Sequence, residues 1–326
     1  MVDRSAFPDN SYPDSSPLDN SGPDNSHPDS SGPGDSSRRR FITSAGVGLA
    51  GLALASPALA AASDSNNAGQ PCRRYQDKVV LITGATSGIG EATAHAYAHE
   101  GAKVFFCGRR EERGAAVQKA IRDAGGEATY MRADVREEGQ VAAFVASCVE
   151  VYGGLDIAFN NAGITGFQGS FDELDLDGVG YYRDIMRTNV DGVMYAMRYE
   201  LPVMRAAGGG IIVNTGSSLS HRGSPQLGAY AASKHAVIGL TRSAAARDAG
   251  NGIRIISVSP GGTRTDIHRP YMPEGAAQSR GDGRANTPMG RLAEPEDIAA
   301  IVLATTDPAC TFLNGDDVRA DGAATA

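Results

Sequence analysis

The stretch Lys78-Val79-Val80-Leu81-Ile82-Thr83-Gly84-Ala85-Thr86-Ser87-Gly88-Ile89-Gly90 decides the fold of this chain. Its first half is a short apolar run, which is typical of a strand that is buried on both faces. Its second half is rich in glycine and leads into a helical segment, Glu91 to Glu100. Glycines at such a junction allow a tight turn and bring the helix N-terminus close to a pyrophosphate. The stretch therefore predicts a nucleotide-binding strand, turn and helix.

Strand and helix patterns alternate from this stretch to the end of the chain. Helices of about ten to fifteen residues between strands imply a parallel sheet, with ligands beyond the carboxyl ends of its strands. We therefore predict a single α/β domain over residues 75–326, with a Rossmann-type, doubly wound parallel sheet of about seven strands. The further predicted strands are 103–107, 128–132, 155–159, 211–215, 253–259 and 316–319, and the further predicted helices are 110–124, 137–152, 182–207, 230–249 and 295–306.

The second predicted strand ends in Gly108-Arg109-Arg110. In a dinucleotide fold, an acidic residue near this point binds the ribose hydroxyls of the adenosine, whereas an arginine pairs with a 2′-phosphate. Here a glycine replaces the carboxylate and Arg109 follows it, which favours NADP(H) over NAD(H). The alternative is that the arginines only begin the next helix, as Glu111 and Glu112 suggest.

Tyr230 and Lys234 lie four residues apart and therefore share one face of a predicted helix. A nearby cation stabilises a phenolate and lowers the pKa of the phenol, so this pair is suited to exchanging protons with an alcohol. A tyrosine and a lysine at this spacing also occur by chance on many solvated helix faces. The rest of the chain must decide between the two interpretations.

From about Tyr75 onward, the chain resembles the short-chain dehydrogenase/reductase family. It departs from the family pattern at Gly216, where a side chain is common, and at Ala323, where a second glycine is common. The matching motifs, in the order of the family, are Thr83-Gly84-x-x-x-Gly88-Ile89-Gly90, Asn160-Asn161-Ala162-Gly163, Asn189, Ser217, Tyr230-x-x-x-Lys234 and Pro260-Gly261-x-x-x-Thr265.

The resemblance implies a catalytic set of four residues. Tyr230 would be the general acid and base, and Lys234 would lower its pKa and bind the nicotinamide ribose. Ser217 would hydrogen-bond the substrate oxygen and stabilise developing charge. Asn189 would support a water chain that carries the proton through Lys234 to solvent.

The resemblance also implies an NAD(P) site. The glycine-rich turn would cradle the pyrophosphate, Asp134 and Val135 would frame the adenine, and Asn161 would lie near the ribose. Gly261, Thr263 and Thr265 would hold the nicotinamide end. The full set of expected cofactor-binding residues is Thr83, Gly84, Ser87, Gly88, Ile89, Gly90, Arg109, Asp134, Val135, Asn161, Ala162, Gly163, Tyr230, Lys234, Pro260, Gly261, Thr263 and Thr265.

The substrate pocket is expected from Ser218, Leu219, the stretch after Gly163 and the segment 266–290, which suits a lid. Its apolar contribution would come from Ile164, Phe167, Tyr271 and Met272, which could equally be ordinary packing residues. A homodimer or homotetramer through the helices near 182–207 and 230–249 is common in the family and is expected here.

The N-terminal residues carry signals unrelated to the fold. Residues 1–36 repeat Pro-Asp units with almost no apolar side chains, so we expect them to be disordered.

Residues 37–62 begin with Ser37-Arg38-Arg39-Arg40-Phe41 and continue in a mild apolar run, which resembles a twin-arginine-type export signal. Cleavage is expected after Ala60 or Ala62, which leaves residues 63–74 as a linker and no stable membrane span. The protein would then be periplasmic or secreted, or cytoplasmic if the signal does not function. The alternatives are an uncleaved anchor and a fortuitous cluster of arginines.

The composition narrows the function classes. The 326 residues carry a net charge of −8, so there is no basic field to hold nucleic acid or an anionic membrane. No Cys-x-x-Cys pair occurs, so neither a metal site nor a redox dithiol is indicated. Cys107 and Cys148 are expected to be buried thiols, and a disulfide stays open for an exported protein.

Three functions fit these patterns. The first is an NAD(P)-dependent oxidoreductase that interconverts an alcohol and a ketone or aldehyde. The second is an epimerase-like or other reaction with a retained cofactor, which a tightly held nucleotide would favour. The third is a non-catalytic nucleotide-binding module, against which the complete set Asn189, Ser217, Tyr230 and Lys234 argues.

Overall fold

The structure is a computed structural model, and it describes residues 73–267 and 287–326. The predictions for the N-terminal extension, the export signal, most of the linker and the pocket residues Tyr271 and Met272 lie outside these residues. The strands are β1 (Val79–Thr83), β2 (Lys103–Gly108), β3 (Glu127–Arg132), β4 (Ile157–Asn160), β5 (Gly210–Thr215), β6 (Ile253–Pro260) and β7 (Asp317–Ala320). The helices are α1 (Gly88–His99), α2 (Glu111–Asp123), α3 (Glu138–Tyr152), α4 (Tyr182–Met186), α5 (Gly192–Ala207), α6 (Gly228–Asp248) and α7 (Pro295–Thr306).

The seven strands form one sheet in the order β3-β2-β1-β4-β5-β6-β7, and every pairing is parallel. The chain moves outward from β1 to β3 and then returns to pair β4 with the other side of β1. This reversal opens a crevice beyond the carboxyl ends of β1 and β4, where open α/β sheets bind ligands. The predicted fold class, a doubly wound parallel sheet of about seven strands in a single α/β domain, is confirmed.

Alternating side chains of the strands divide the core into two layers. Val80 and Ile82 of β1 pack on one face, with residues of α1, α2 and α7, whereas Val79 and Leu81 pack on the other, with residues of α3, α5 and α6. Successive side chains of a strand point to opposite faces, so an unbroken apolar strand covers both layers. The continuous apolar run in the sequence is thus explained by helices on both sides of the sheet.

The predicted helical stretch over 182–207 is confirmed in its bounds, but it is not α-helical throughout. The structure has α4, then a π-helical turn at Arg187–Asp191, and then α5. A π turn inserts one extra residue without interrupting the helical sequence pattern, so the pattern does not reveal it. The turn contains Asn189, which it places against the loop that follows β4.

The first buried side chain of the described domain is Tyr75, whose hydroxyl bonds the carbonyl oxygen of Leu303 and lies 3.0 Å from Oγ1 of Thr306.

Cys107 and Cys148 are buried free thiols, as expected, and Cys310 is also free. Within the described ranges, no helix has the length and apolar character needed to cross a membrane. The same residues contain no cluster of three or more potential metal-ligating side chains.

Candidate active site and nucleotide cleft

The glycine-rich turn between β1 and α1 packs directly against the loop after β4. Gly84 has a φ of +71°, and a Cβ there would lie 2.7 Å from Cα of Ala162. A Cβ on Gly90 would lie 2.6 Å from Nδ2 of Asn161. Only glycine fits both places, because any side chain would push the two loops apart. The close approach leaves the N-terminus of α1 open to the crevice, which is the shape a pyrophosphate requires.

Thr83 and Asn161 brace this turn from behind. Oγ1 of Thr83 accepts hydrogen bonds from the backbone amides of Asn161 and Ala162, at 3.0 and 3.1 Å. Nδ2 of Asn161 donates to the carbonyl oxygens of Thr83 and Gly84, both at 3.2 Å. Thr83 is buried and its hydroxyl is committed to these contacts. It therefore holds the glycine-rich turn against the loop after β4.

A cavity of about 340 Å³ lies above this turn. Eleven of its lining residues belong to the expected cofactor set: Gly84, Ser87, Gly88, Ile89, Arg109, Asp134, Val135, Asn161, Ala162, Gly163 and Thr265. Motif reasoning missed Thr86, Cys107, Gly108 and Arg110, which line the same cavity. Residues that follow β1, β2, β3, β4 and β6 thus meet at one place, as the parallel sheet predicts.

The end of β2 presents arginine and no carboxylate to this cavity. A Cβ on Gly108 would lie 2.5 Å from Cγ2 of Thr86, so a longer side chain would displace the turn. Arg110 donates to Oγ1 of Thr86 at 2.9 Å and to Oγ of Ser87 at 2.6 Å. Burial lowers the pKa of Arg110, and the charges of Arg113 and Arg109 add to this effect. These clustered positive charges make the end of β2 a favourable place for an anion.

Asp134 lies across the cavity and is held by Arg136. Nη2 of Arg136 lies 2.6 Å from Oδ2 of Asp134, and its Nη1 lies 2.6 Å from Oδ1 of Asp184. Burial opposes ionisation of Asp134, but the hydrogen bonds from Arg136 outweigh it and bring its pKa below the usual value. The Asp134 carboxylate is therefore ionised and fixed in position.

Ser217 follows β5 and begins a short 3₁₀ turn. Its Oγ accepts a hydrogen bond from the backbone amide of Leu219 at 3.1 Å, and its own amide donates to Oγ of Ser220 at 3.0 Å. These bonds fix the side chain and leave its hydroxyl proton free to be donated. The hydroxyl also hydrogen-bonds the side chain of Tyr230, so the two groups meet at one point.

Tyr230 and Lys234 lie on the first turns of α6, with Nζ of Lys234 5.7 Å from the centroid of the tyrosine ring. Nζ donates to the carbonyl oxygen of Thr215 at 2.7 Å. Burial raises the pKa of Tyr230, partly offset by the hydrogen bond with Ser217, and burial lowers the pKa of Lys234 to about 8. The expectation that Lys234 lowers the pKa of Tyr230 therefore differs from the structure. Burial dominates because it disfavours phenolate and ammonium alike.

Asn189 is fully buried, and its side chain is already committed. Oδ1 accepts from the amide of Ile164 at 2.9 Å, and Nδ2 donates to the carbonyl oxygen of Ile164 at 2.9 Å and to Oγ of Ser233 at 3.0 Å. The arrangement of one donor and two acceptors around the amide settles which end is oxygen. The side chain thus joins the π turn, the loop after β4 and α6. Any part of Asn189 in a water chain falls to its backbone carbonyl.

Gly163 lies between Asn189 and Lys234. A Cβ on Gly163 would be 3.3 Å from Oδ1 of Asn189 and 3.5 Å from Nζ of Lys234. Both side chains therefore approach the same point above the glycine. The structure brings Asn189, Ser217, Tyr230 and Lys234 into one region, although they come from three separate parts of the chain.

A second cavity, of about 640 Å³, adjoins the first and shares six lining residues with it: Ile89, Asn161, Gly163, Thr265, Asp266 and Ile267. It is lined by Ser217, Tyr230 and Lys234 and by the expected cofactor residues Pro260, Gly261, Thr263 and Thr265. Its apolar lining comes from Leu219, Leu227, Ile267 and Leu292, of which the sequence predicted Leu219 and, within the segment 266–290, Ile267. Ile164 lines the first cavity, and Phe167 stacks on Tyr181 with ring centroids 5.6 Å apart.

Close packing explains why residue 216 is a glycine, where the family commonly has a side chain. A Cβ on Gly216 would lie 2.3 Å from Oγ of Ser259, which donates to Oδ1 of Asp317 at 2.8 Å. Asp317 also lies 2.6 Å from Nε2 of His221, on the loop that begins at Ser217. Glycine at 216 leaves room for this bridge between β6, β7 and the Ser217 loop.

Comparisons with known proteins agree with this geometry. The family model described as short chain dehydrogenase matches residues 78–275. A 3beta-hydroxysteroid dehydrogenase of Mediterraneibacter gnavus is 38% identical over 266 residues, which cover 76% of this chain and 95% of that protein. A cyclohexanol dehydrogenase of an Acinetobacter species is 37% identical over 252 residues, which cover 77% of this chain and 96% of that protein.

A solved structure provides the third comparison. A short chain dehydrogenase from Burkholderia cenocepacia in complex with NADP superposes with a TM-score of 0.69 at 34% identity. The match covers 78% of this chain and 100% of that one. The chain belongs to the short-chain dehydrogenase family and is an NAD(P)-dependent oxidoreductase.

Proposed function

We propose that this protein interconverts an alicyclic secondary alcohol and its ketone, with NADP(H) favoured over NAD(H), through Ser217, Tyr230, Lys234 and Asn189. One observation carries the proposal: Ser217, Tyr230 and Lys234 line the cavity that adjoins the cleft above the glycine-rich turn. A substrate in the second cavity and a nucleotide in the first would therefore meet beside the tyrosine hydroxyl.

The nucleotide, when bound, supplies or accepts the hydride. The chain supplies the proton and the positioning. Ser217 donates its hydroxyl proton to the substrate oxygen, and the hydrogen bond that its Oγ accepts from the amide of Leu219 holds it in position. Tyr230 gives a proton to the oxygen during ketone reduction and takes one during alcohol oxidation.

Lys234 relays this proton toward solvent. A group transfers protons most effectively when its pKa lies near the working pH, and the pKa of Lys234 is about 8. Its contact with the carbonyl oxygen of Thr215 holds Nζ beside the tyrosine. The backbone of the π turn at Asn189 is the next group in the relay, since the Asn189 side chain is already hydrogen-bonded to Ile164 and Ser233.

The substrate class follows from the cavity and the relatives. The cavity is large enough for a ring and has apolar side chains at Leu219, Leu227, Ile267 and Leu292. The two relatives described above are named for a hydroxysteroid and for cyclohexanol, which are both cyclic secondary alcohols. A cyclic secondary alcohol is therefore the class to assay first.

Replacement of Tyr230 by Phe tests the function. We expect Tyr230→Phe to lower kcat for cyclohexanol oxidation by about 10²- to 10⁴-fold, because it removes the general acid and base. Since burial raises the pKa of Tyr230, oxidation by the parent protein should speed up with pH, whereas ketone reduction should slow at alkaline pH. Nicotinamide absorbance reports both rates, and NADP⁺ titration of the variant checks that the nucleotide site is intact. Full activity in Tyr230→Phe would refute the proposal.

We also propose that residues 37–62 export the protein, folded around its nucleotide, by a twin-arginine-type route. The Ser-Arg-Arg-x-Phe pattern and the alanines at 60 and 62 support it. Mass spectrometry of protein from the periplasm would report its N-terminus and any bound nucleotide together. Recovery of the protein from the cytoplasm alone would contradict export, and a nucleotide that never exchanges would favour the epimerase-like alternative.

We further propose a homodimer or homotetramer assembled through α5 and α6. Light scattering of the purified protein tests it, and a monomer at micromolar concentration would exclude it.

A further inference from the structure

The cavity beside Ser217 and Tyr230 is lined by a cation that the proposed mechanism does not use. Four ionisable side chains of charged type line it: Arg222, Lys234, Arg264 and Asp266. Lys234 is engaged with Thr215, and Nε of Arg264 lies 2.9 Å from Oε1 of Glu294. Among residues 73–267 and 287–326, no acidic side chain forms an ion pair with Arg222. Arg222 is therefore the guanidinium in this lining that still has its charge to offer.

The position of Arg222 is set by the same loop that carries Ser217. Its neighbour His221 is held by Asp317, with 2.6 Å between Nε2 and Oδ2. Farther along the loop, the amide of Leu227 donates to Oγ of Ser224 at 3.2 Å. The loop is thus fixed on both sides of Arg222, while the arginine itself is exposed. Because the loop backbone is already fixed, binding a ligand would have to order only the side chain of Arg222.

The surroundings of Arg222 favour an anion on the substrate. The lining near it includes the apolar side chains of Leu219, Leu227 and Ile267, which suit a ring or chain but cannot solvate a charge. Arginine binds carboxylates in a bidentate geometry through two parallel hydrogen bonds. The protein carries a net charge of −8, so an anionic substrate is repelled overall and needs a local cation at the cavity.

The phosphates of the cofactor are anions that could also bind an arginine, but their expected site is the first cavity. Arg109 and Arg110 line the first cavity, above the glycine-rich turn, whereas Arg222 lines only the second. Arg222 therefore faces the substrate side of the site.

We propose that Arg222 binds a carboxylate of the substrate, so that the substrate is a hydroxy acid or oxo acid whose carboxylate lies across the cavity from the reacting oxygen. This inference rests on the proposed function and deepens it. The substrate then has a reacting end at Ser217 and Tyr230 and an anionic end at Arg222.

A matched pair of ring compounds tests the anionic end without turnover. Calorimetric titration of the NADP⁺-loaded protein would use cyclohexanecarboxylate and cyclohexanecarboxamide, which differ in charge but hardly in shape. We expect the parent protein to bind the carboxylate about tenfold more tightly than the amide. Arg222→Met should remove this preference and leave amide binding unchanged, and Arg222→Lys should retain part of it.

Arg242→Met is the matched control. Arg242 is an exposed arginine on α6 and lines neither cavity, so its replacement changes the net charge equally and should leave carboxylate binding unchanged. Circular dichroism and thermal melting verify that all variants are folded. Equal carboxylate affinity in the parent and Arg222→Met, or a preference of the parent for the amide, would overturn the proposal. So would a variant that loses NADP⁺ affinity in place of carboxylate affinity, because the anion would then belong to the cofactor.

Turnover of cyclohexanol and binding of the carboxylate test the proposed function and the anion site independently. Oxidation of neutral cyclohexanol by both the parent and Arg222→Met supports the alcohol chemistry whatever the titration gives. Carboxylate binding that depends on Arg222, without turnover of any alcohol, would support the anion site and refute the alcohol dehydrogenase.

Discussion

At the scale of the residue, the positive charges at the end of β2 favour a phosphate in the nucleotide cleft. Gly108 has no room for a carboxylate beside Thr86, and Arg109 and Arg110 line the cleft. A 2′-phosphate would find two arginines there, and the adenosine ribose of NAD(H) would find no acidic partner at Gly108. The NADP(H) preference that we propose therefore depends on two or three adjacent side chains.

Replacing Arg109 tests this preference. We expect Arg109→Ala to lower kcat/KM for NADP⁺ by about 10- to 100-fold, because a charge-assisted hydrogen bond to a phosphate is lost. The value for NAD⁺ should stay nearly constant, since NAD⁺ has no 2′-phosphate. Steady-state kinetics with both nucleotides measures the ratio. An equal loss for both would indicate that Arg109 acts on the fold or on the shared part of the nucleotide.

Ala323 has a conformation that suits glycine better than alanine. Its φ is +66°, a left-handed value that costs an L-residue about 1–2 kcal/mol. Glycine avoids that cost but loses about 0.5–1 kcal/mol through its greater freedom in the unfolded chain. We expect Ala323→Gly to raise the free energy of unfolding by about 0.5–1 kcal/mol. Urea unfolding measures this change, and Ala324→Gly, at a position without positive φ, should instead destabilise the protein.

At the scale of the element, the π turn between α4 and α5 exists to place Asn189. The turn brings the buried amide to the backbone of Ile164 and to Ser233 of α6, and Oγ of Ser233 donates to the carbonyl oxygen of Tyr230 at 2.7 Å. Asn189 therefore connects the loop after β4 to the backbone that carries the tyrosine. Its role in the site is to hold elements together as much as to carry protons.

Asn189→Ala should reveal this structural role. The variant leaves the amide and the carbonyl group of Ile164 without the Asn189 side chain, and each buried polar group left unpaired costs about 1–3 kcal/mol. We expect a loss of about 2–4 kcal/mol in the free energy of unfolding together with a lower kcat. Asn251→Ala removes a peripheral hydrogen bond to Asp248 and serves as the control, with a smaller effect. A variant with unchanged stability and reduced kcat would instead assign Asn189 to proton transfer alone.

At the scale of the whole molecule, a buried acid makes stability depend on pH. Glu200 of α5 is fully buried, and Nδ2 of Asn160 donates to its Oε2 at 3.1 Å. Oε1 of Glu200 and Oδ1 of Asn160 have no hydrogen-bond partner in the described structure. Burial raises the pKa of Glu200 to about 8, although the hydrogen bond from Asn160 lowers it in part. The carboxyl group is therefore protonated at neutral pH and has a proton to donate within this network.

The sign of the pH dependence follows from this raised pKa. Between the ordinary value of 4.5 and about 8, the folded protein binds a proton that the unfolded chain has released. The Glu200 contribution to stability is therefore fully present below the unfolded value and is lost as pH rises toward 8. The difference amounts to several kcal/mol, at about 1.4 kcal/mol per unit of pKa.

Glu200→Gln should remove this dependence, because the amide stays neutral and can donate. We expect the variant to gain stability relative to the parent as pH rises from 5 to 8.5, with urea unfolding as the measurement. The exposed Glu150→Gln should show no such trend. A parallel pH profile for Glu200→Gln and the parent would show that Glu200 is ionised in the folded protein.

Much of this protein was predictable from local patterns, and the limits of prediction have clear causes. The apolar run at Val79–Thr83 and the glycine-rich turn after it predicted β1, the turn and α1, since burial on both faces and the tight turn each leave a local signature. The π turn at Arg187–Asp191 was not predicted, because a π turn preserves the helical sequence pattern. Arg222, Glu200 and Leu292 were missed because their roles come from neighbours distant in sequence.

The sequence by itself determined the family, the order of the strands and helices, and the identity of the motif residues, because these depend on hydrophobic period, glycine positions and short spacings. Only the tertiary structure decided what those residues do locally: that Thr83 braces the turn, that burial sets the pKa values of Tyr230 and Lys234, and that the Asn189 side chain is fully used. The reason is physical. Burial, electrostatics and hydrogen-bond partners are properties of the space around a side chain, and that space is filled by parts of the chain that the local sequence does not name.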